Sequence, residues 1–248
     1  MAIVLVHGAW SGSWSWSDAA RLLRHRGYEV HAPTLTGLAE RSHIAPKHVT
    51  LESHIADIAG LLRYEDLSKV LLVGHSYAGM VVTGAADRER ERIAGMIYLD
   101  AFLPESGQAL FDIIAPEGRD LQLKMAAEFD GGQSVPRPPH APPPDAGLAA
   151  KWASMYTPQP IGTIEQPYVS TRGVDTMDGA AWPPRHYALC AAYKGSAFQK
   201  LAVKVKGKPG WTGSEFDAQH DIVRTHPREV ADRIAGIASG LGIARPYA

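Results

Sequence analysis

The sequence predicts an α/β protein, in which a mostly parallel sheet carries helices on both faces and a cap is inserted between two strands. In residues 1–104, apolar segments typical of strands alternate with segments typical of amphipathic helices. The apolar segments are continuous, which indicates strands buried on both faces. The chain has 248 residues, 45% of them hydrophobic, enough to bury a full core as one domain with an insertion.

The charge balance and the cysteine count exclude several classes of function. With 25 Lys and Arg against 26 Asp and Glu, no overall field would attract nucleic acid or an anionic membrane. Cys190 is the single cysteine, so an internal disulfide and a thiolate metal cluster are excluded. The apolar run at residues 2–6 is shorter than a signal-peptide core, and no stretch reaches the ~18 residues of a membrane span. We expect a cytoplasmic protein without cofactor or metal ion.

The first strand is predicted at residues 2–6 and the second at residues 28–32. Ser17 is a candidate N-cap for the helix between them, which Gly27 ends. Thr50 opens a second helix, whose apolar stripe consists of Leu51, Ile55, Ile58 and Leu62.

Four later strands are predicted, at residues 69–74, 95–100, 186–190 and about 211–216. A helix over residues 77–88 joins the first two of these. Pro227 is a favourable first residue for the final helix, whose buried stripe consists of Val230, Ile234 and Ile237.

An insertion follows Pro104. Residues 105–184 show no clear strand pattern, and residues 131–146 contain six prolines, which excludes regular helix or central strand there. A helix is predicted over residues 148–156. We therefore divide the chain into a core, residues 1–104 and 185–248, and a cap, residues 105–184. The proline-rich stretch is either the edge of a lid or a plain surface loop.

A candidate nucleophile lies where a buried strand meets a helix. Residues 74–79 read GHSYAG, and a serine at such a turn presents its hydroxyl at the carboxyl edge of the sheet. The turn requires small neighbours, and Gly74 and Ala78 flank Ser76 at the required distance. The alternative is a glycine-rich turn with an inactive serine.

The loop after the first strand is a candidate oxyanion loop. Residues 7–10 read HGAW, and in this architecture they lie beside the turn that holds Ser76. The backbone N–H groups of Ala9 and Tyr77 are the candidate donors to a tetrahedral oxyanion. The alternative for His7 and Trp10 is loop packing.

A serine hydroxyl needs a base to remove its proton. His220 lies directly after the last predicted strand and before the final helix, where its imidazole can reach the turn. It also fits the chain order in which the histidine comes last. His226 is the rival candidate.

These motifs resemble the α/β-hydrolase superfamily over essentially the whole chain. Within it, the chain is similar to the small plant-type methylesterase and hydroxynitrile-lyase group and its bacterial esterase relatives. The resemblance is weakest in the cap, and Ala78 departs from the usual G-x-S-x-G pattern. The motifs that carry it are VLVHGAW at residues 4–10 with Trp14 and Trp16, GHS at 74–76, YLDAFLP at 98–104 and QHD at 219–221.

In this superfamily the third catalytic residue usually follows the strand after the cap, but residues 179–214 contain no Asp or Glu. We assign the acid to Asp100, at the carboxyl end of the strand after the turn. A capping or turn aspartate is the alternative reading, and Glu105 and Asp217 are weaker rivals. A solvated face or a lysine-protected edge strand explains the basic residues of the same stretch: Arg185, Lys194, Lys200, Lys204, Lys206 and Lys208.

The resemblance implies acyl transfer to water. A serine nucleophile excludes the dehalogenase and epoxide-hydrolase variants of this fold, which use a carboxylate. Hydroxynitrile lyases of the group carry a lysine after the catalytic histidine, where this chain has Asp221. We expect a serine esterase that cleaves a small, largely apolar ester through an acyl-enzyme. A carbamate or amide hydrolase and a weakly catalytic ligand receptor are the alternatives.

Several large apolar residues are candidates for the substrate pocket, and each of them could equally belong to the core. The expected partner is a small-molecule ester, and assembly as a homodimer is left open. The pocket candidates are Trp10, Met80, Phe102, Leu103, Trp152, Met155 and Trp182.

Overall fold

A parallel sheet of six strands forms the centre of the described part of the molecule. The computed structural model describes residues 2–139, 146–173, 175–176, 179 and 181–243. The strands are β1 (Ala2–Val6), β2 (Glu29–His31), β3 (Val70–His75), β4 (Ile93–Leu99), β5 (Ser134–Val135), β6 (Gln159–Pro160), β7 (Arg185–Cys190) and β8 (Trp211–Phe216). The sheet follows the order β2-β1-β3-β4-β7-β8, and every neighbouring pair in it is parallel. The predicted α/β fold is confirmed.

Helices cover both faces of the sheet. They are α1 (Ser17–His25), α2 (Leu51–Tyr64), α3 (Ala78–Arg88), α4 (Pro116–Asp130), α5 (Ala146–Ala153), α6 (Gly162–Glu165), α7 (Ala197–Val205), α8 (Ile222–Thr225) and α9 (Pro227–Gly240). Ile3 and Leu5 of β1 pack with α1 and α9 on one face, whereas Val4 and Val6 pack with α2, α3 and α7 on the other. None of the helices in the described ranges has the length and apolar character needed to cross a bilayer.

The two predicted helix caps have different outcomes. The hydroxyl of Thr50 accepts the Ser53 N–H, and the Ser53 side chain accepts the Thr50 N–H, so α2 begins with a reciprocal capping box. The prediction for Ser17 is wrong. A 3₁₀ turn precedes α1, so Ser17 is already helical, and its hydroxyl donates to the carbonyl of Trp14 at 2.8 Å.

Residues 105–184 contain more regular structure than the sequence indicates. The expectation of no strands there is wrong, because β5 and β6 form a short antiparallel pair. Each strand has only two residues, too few for a periodic pattern. The prediction also omits α4, which has a proline as its first residue and ends at Gly131 in the left-handed conformation.

The basic stretch after the cap has two different environments. Lys200 and Lys204 lie on the exposed face of α7, a helix that the sequence reading missed, so the solvated-face reading holds for them. Neither reading holds for Arg185, which lies in the inner strand β7 and is only 2% exposed. Its guanidinium packs over the ring of Trp211 at 4.3 Å and donates to the carbonyl of Thr176. A buried arginine is tolerated here because the aromatic ring and the carbonyl group take the place of the water molecules that would otherwise solvate the guanidinium.

At Gly79, α3 lies close against the loop after β4. A Cβ at this position would lie 1.8 Å from the carbonyl oxygen of Phe102. The Phe102 N–H in turn donates to the carbonyl of Ser76 at 3.0 Å. Only glycine therefore allows this approach without a backbone shift.

We predict that Gly79→Ala lowers the free energy of unfolding by about 3 kcal/mol or more, because the added methyl clashes with backbone rather than with a flexible side chain. Gly236→Ala is the matched control, since Gly236 is also helical but a Cβ added there would meet no other part of the described structure within 4 Å. That control should be neutral or stabilising by up to about 1 kcal/mol. Denaturant unfolding of both variants tests this, and equal effects would contradict it.

Candidate active site

The predicted nucleophile Ser76 lies on a strained turn. β3 ends at His75 and α3 begins at Ala78, and Ser76 between them has a φ of 58°. This left-handed conformation is uncommon for a residue with a side chain and is typical of a nucleophile turn. A Cβ on Gly74 would lie 3.0 Å from the Ala78 carbonyl oxygen. The packing therefore imposes the small residue that the sequence motif indicated.

Hydrogen bonds join Ser76, His220 and Asp100 in one chain. His220 Nε2 lies 2.9 Å from Ser76 Oγ, and its Nδ1 lies 2.6 Å from Asp100 Oδ2. The buried Asp100 also accepts the N–H of Cys190 on Oδ1 at 3.1 Å. Because the Asp100 carboxylate can only accept a hydrogen bond, Nδ1 carries the imidazole proton and donates it in that bond, and the unprotonated Nε2 is left to accept the serine proton.

The rival residues lie outside this chain of hydrogen bonds. Glu105 pairs with Lys204 at the surface, and Asp217 is exposed. His226 bonds the hydroxyl of Thr225 through Nδ1 at 2.8 Å. Within the described ranges, none of the three bonds Ser76, Asp100 or His220.

Aromatic rings enclose the His220 imidazole. Phe198 stacks on it nearly parallel, with centroids 4.8 Å apart, and Tyr193 stacks at 5.3 Å. His75 packs against it at 4.7 Å and donates Nε2–H to the His220 carbonyl at 2.9 Å. Sequence reasoning missed these contacts. The available signal was the helical spacing of Phe198, Leu201 and Val205, which are the buried residues of α7.

The candidate oxyanion loop lies against the serine. A Cβ on Gly8 would lie 3.1 Å from the Cβ of Ser76. Among the described residues, no acceptor bonds the backbone N–H of Ala9 or of Tyr77. Ala9 and Tyr77 line the same cavity as Ser76, so both N–H groups remain candidate donors.

Buried neutral histidines support both candidate donors. His7 donates Nδ1–H to the carbonyl of Gly8 at 2.8 Å and accepts the Leu35 N–H on Nε2 at 3.0 Å. His54 donates Nε2–H to a backbone carbonyl at 2.7 Å and accepts the Tyr77 hydroxyl on Nδ1 at 2.9 Å. Burial lowers the pKa of both imidazoles to about 4, so they stay neutral at neutral pH.

A cavity of about 350 Å³ opens above Ser76. Residues from both the core and the cap line it. The lining includes Trp10, Ser76, Phe102, Leu110, Ile114, Arg137, Tyr156, Tyr193, Phe198, His220, Asp221 and Arg224.

Two of the predicted pocket residues, Trp10 and Phe102, line this cavity, and the others do not. Met80 and Leu103 are buried in the core, in the cluster that also contains Val4 and Val6 of β1. The two remaining tryptophans are not in the lining, and each has its ring covered by an arginine guanidinium. These pairs are Trp182 with Arg90 at 4.7 Å and Trp152 with Arg224 at 4.2 Å, and Met155 also lies outside the lining.

The cavity has one charged wall beside His220. Asp221 Oδ1 pairs with Arg224 at 2.5 Å, and Oδ2 lies 3.7 Å from Arg137. Both guanidinium groups also pack over the ring of Tyr156. The sequence pointed to Asp221 but not to its two arginine partners, which lie in different segments of the chain.

Comparisons with known proteins agree with this geometry. The Alpha/beta hydrolase family matches residues 3–233. A carbendazim hydrolyzing esterase of a Nocardioides strain is 38% identical over 245 residues, covering 94% of this chain and 98% of that protein. Methylesterase 9 of Arabidopsis thaliana is 25% identical over 95% of this chain and 97% of its own length.

A solved structure has the same fold. It is an extracellular alpha/beta-hydrolase from a Paenibacillus species, with a TM-score of 0.81 and 21% identity, and the match covers 95% of this chain and 98% of that one. The resemblance to plant methylesterases and bacterial esterases is thus confirmed. Because the family match spans most of the sheet and its helices, this chain belongs to the alpha/beta hydrolase family.

Proposed function

We propose that this protein is a serine hydrolase that cleaves a small, largely apolar carboxylic ester through an acyl-enzyme intermediate. Its class as a carboxylic ester hydrolase is confirmed by its family and by the esterases among its relatives. The finer proposal rests on one observation, the hydrogen-bond chain from the Asp100 carboxylate through His220 to the Ser76 hydroxyl. That hydroxyl lines a cavity whose other walls are largely apolar.

The first half of the reaction forms the acyl-enzyme. Ser76 Oγ attacks the ester carbonyl carbon while His220 Nε2 removes its proton. The Asp100 carboxylate holds Nδ1–H and stabilises the imidazolium. The N–H groups of Ala9 and Tyr77 bind the developing oxyanion, and a donor of this kind contributes about 2.7–4 kcal/mol where one has been removed.

Collapse of the tetrahedral intermediate completes the first half, and hydrolysis of the acyl-enzyme is the second half, which releases the acid. His220 returns its proton to the alkoxide oxygen as the carbon–oxygen bond breaks, so the alcohol leaves and the acyl group stays on Ser76. His220 then removes a proton from water, and the hydroxide attacks the acyl carbon. Protonation of Ser76 Oγ by His220 completes the cycle with the free carboxylic acid.

Carbamate hydrolysis is the second candidate function. It is favoured by the carbendazim hydrolyzing esterase, which aligns over nearly the whole of both chains. Carbendazim is a methyl carbamate on a flat aromatic ring system. The same serine attack applies to a carbamate carbonyl, and Phe102, Tyr193 and Phe198 supply aromatic walls for a flat group.

A panel of aryl esters, methyl esters and methyl carbamates tests the function. We predict turnover by the wild type, covalent labelling of Ser76 by a fluorophosphonate, and loss of several orders of magnitude in kcat in Ser76→Ala. Hydrolysis of the methyl carbamates at rates similar to the esters would favour the second candidate. Binding without turnover of any panel member would favour a ligand receptor, and near-normal turnover by Ser76→Ala would contradict the mechanism.

The base can be tested with a matched pair of histidine variants. We predict that His220→Ala lowers kcat by several orders of magnitude with little change in Tm, because the proton acceptor is removed. His226→Ala is the control and should keep near-normal turnover, since the described hydrogen bond of the His226 imidazole is to the hydroxyl of Thr225 and not to Ser76 or Asp100. The reverse ranking of the two variants would disprove the assignment.

The acid is tested by Asp100→Asn. The amide keeps the shape of the side chain but lets His220 adopt the wrong tautomer, and a comparable change in a serine protease lowers kcat by about 10⁴. Asp217→Asn is the control, because Asp217 is exposed and lies three residues before His220. We would abandon the assignment if Asp100→Asn kept more than about a tenth of the wild-type kcat.

A further inference from the structure

We propose that Gln159 of the cap is a positioning residue for the oxyanion hole. It holds the backbone of Trp10, and thereby orients the preceding residue, Ala9, which lines the same cavity as Ser76 and carries one of the proposed oxyanion donors. This inference rests on the proposed function, since the orientation of that N–H affects turnover only if Ser76 forms a tetrahedral intermediate.

Trp10 has a backbone conformation that must be held by its surroundings. Its φ is 61°, in the left-handed region that residues with side chains rarely adopt. Such conformations persist only where neighbouring contacts determine them, and they concentrate at functional sites. The loop around Ala9 therefore depends on whatever fixes Trp10.

The described contacts that fix Trp10 come from the β5–β6 region of the cap. Gln159 Oε1 accepts the Trp10 backbone N–H at 2.8 Å, and Thr157 donates its N–H to the Trp10 carbonyl at 3.0 Å. The indole N–H donates to the carbonyl of Val135 at 2.9 Å. Of these partners, Gln159 alone uses a side chain, so its contribution can be removed by substitution.

The hydrogen bond from the Trp10 N–H to Gln159 also determines which backbone N–H of the loop remains for the oxyanion. The peptide group that joins Ala9 to Trp10 is held in one orientation by its N–H bond to Oε1. The Trp10 N–H is therefore already committed to the cap, and Ala9 carries the loop's proposed oxyanion donor. Because that peptide group includes the Ala9 carbonyl, its rotation would change the backbone conformation of Ala9 and with it the direction of the Ala9 N–H.

Gln159 is itself held in one orientation. It is fully buried, and its Nε2–H donates to the hydroxyl of Thr163 at 2.6 Å, which donates in turn to the carbonyl of Pro160 at 2.6 Å. Each polar atom of the carboxamide thus has a defined partner, so Oε1 is directed at Trp10. Among the described residues that line the cavity, Gln159 is absent, which separates its effect from substrate binding.

The test compares two glutamines of the cap. Gln159→Met removes the acceptor for the Trp10 N–H, and Gln166→Met is the matched control, because Gln166 Oε1 accepts a core N–H, that of Glu52, at 2.7 Å. Removing an oxyanion donor lowers kcat by about 10²–10³-fold. Misplacing a donor should have a smaller effect, so we expect Gln159→Met to lower kcat for p-nitrophenyl acetate by at least about tenfold. Its KM should stay within about twofold, and Gln166→Met should keep kcat within about twofold.

A second measurement separates positioning from general destabilisation. A boronic acid forms a tetrahedral adduct with the serine, and its affinity should fall in parallel with kcat in Gln159→Met but not in Gln166→Met. Equal losses of kcat in both variants, a rise in KM alone, or unchanged boronate affinity would overturn the proposal. A wild type without turnover would instead overturn the proposed function, and this inference with it.

A further variant keeps the test decisive if Gln159→Met does not fold. Gln159→Glu retains an oxygen acceptor for the Trp10 N–H but loses the donor to Thr163. We expect its kcat to stay within about fivefold of the wild type, although its Tm falls. A loss of tenfold or more in kcat would show that the acceptor is not the feature that matters.

Discussion

The parallel arrangement of the strands is the constraint on which the site depends, because it directs their carboxyl ends to one edge of the sheet. Ser76 follows β3, Asp100 follows β4, and His220 lies in the loop after β8. Ala9 follows β1, which neighbours β3 in the sheet. Residues as far apart in sequence as Ser76 and His220 therefore meet within hydrogen-bond distance.

Three of the six non-glycine residues with positive φ in the described ranges lie in the loops that follow β1, β3 and β4. Ser76, Asp100 and Trp10 all have positive φ without being glycine. Conformations of this kind cost about 1–3 kcal/mol each and persist only where the surroundings determine them. Asp100 is held by its N–H bond to the carbonyl of Ala188 at 2.7 Å, and Ser76 by the N–H of Phe102. The strain thus orients the two side chains that His220 bonds.

The cap has two separate effects on the site. It supplies part of the cavity wall, including Tyr156 and Arg137, whose guanidinium lies 3.7 Å from Asp221. Its short β5–β6 pair also bonds the loop after β1 at Trp10. Changes in the cap can therefore alter both which substrate fits and how the proposed oxyanion donors are oriented.

The sequence by itself determined the features that arise from neighbouring residues. The alternation of strands and helices, the turn around Ser76 and the cap of α2 at Thr50 all arise within a few residues of chain. The absence of carboxylates in residues 179–214 was likewise enough to point to Asp100. Local steric and hydrogen-bonding preferences act over such distances, so these features can be read from the chain directly.

Only the tertiary structure decided which side chains face the cavity. Met80 looked like a pocket residue but is enclosed in the core, and Arg185 looked like a surface residue but is buried beside Trp211. The bond between Trp10 and Gln159 joins residues 149 positions apart. No local pattern encodes such contacts, because they depend on how whole elements pack against one another.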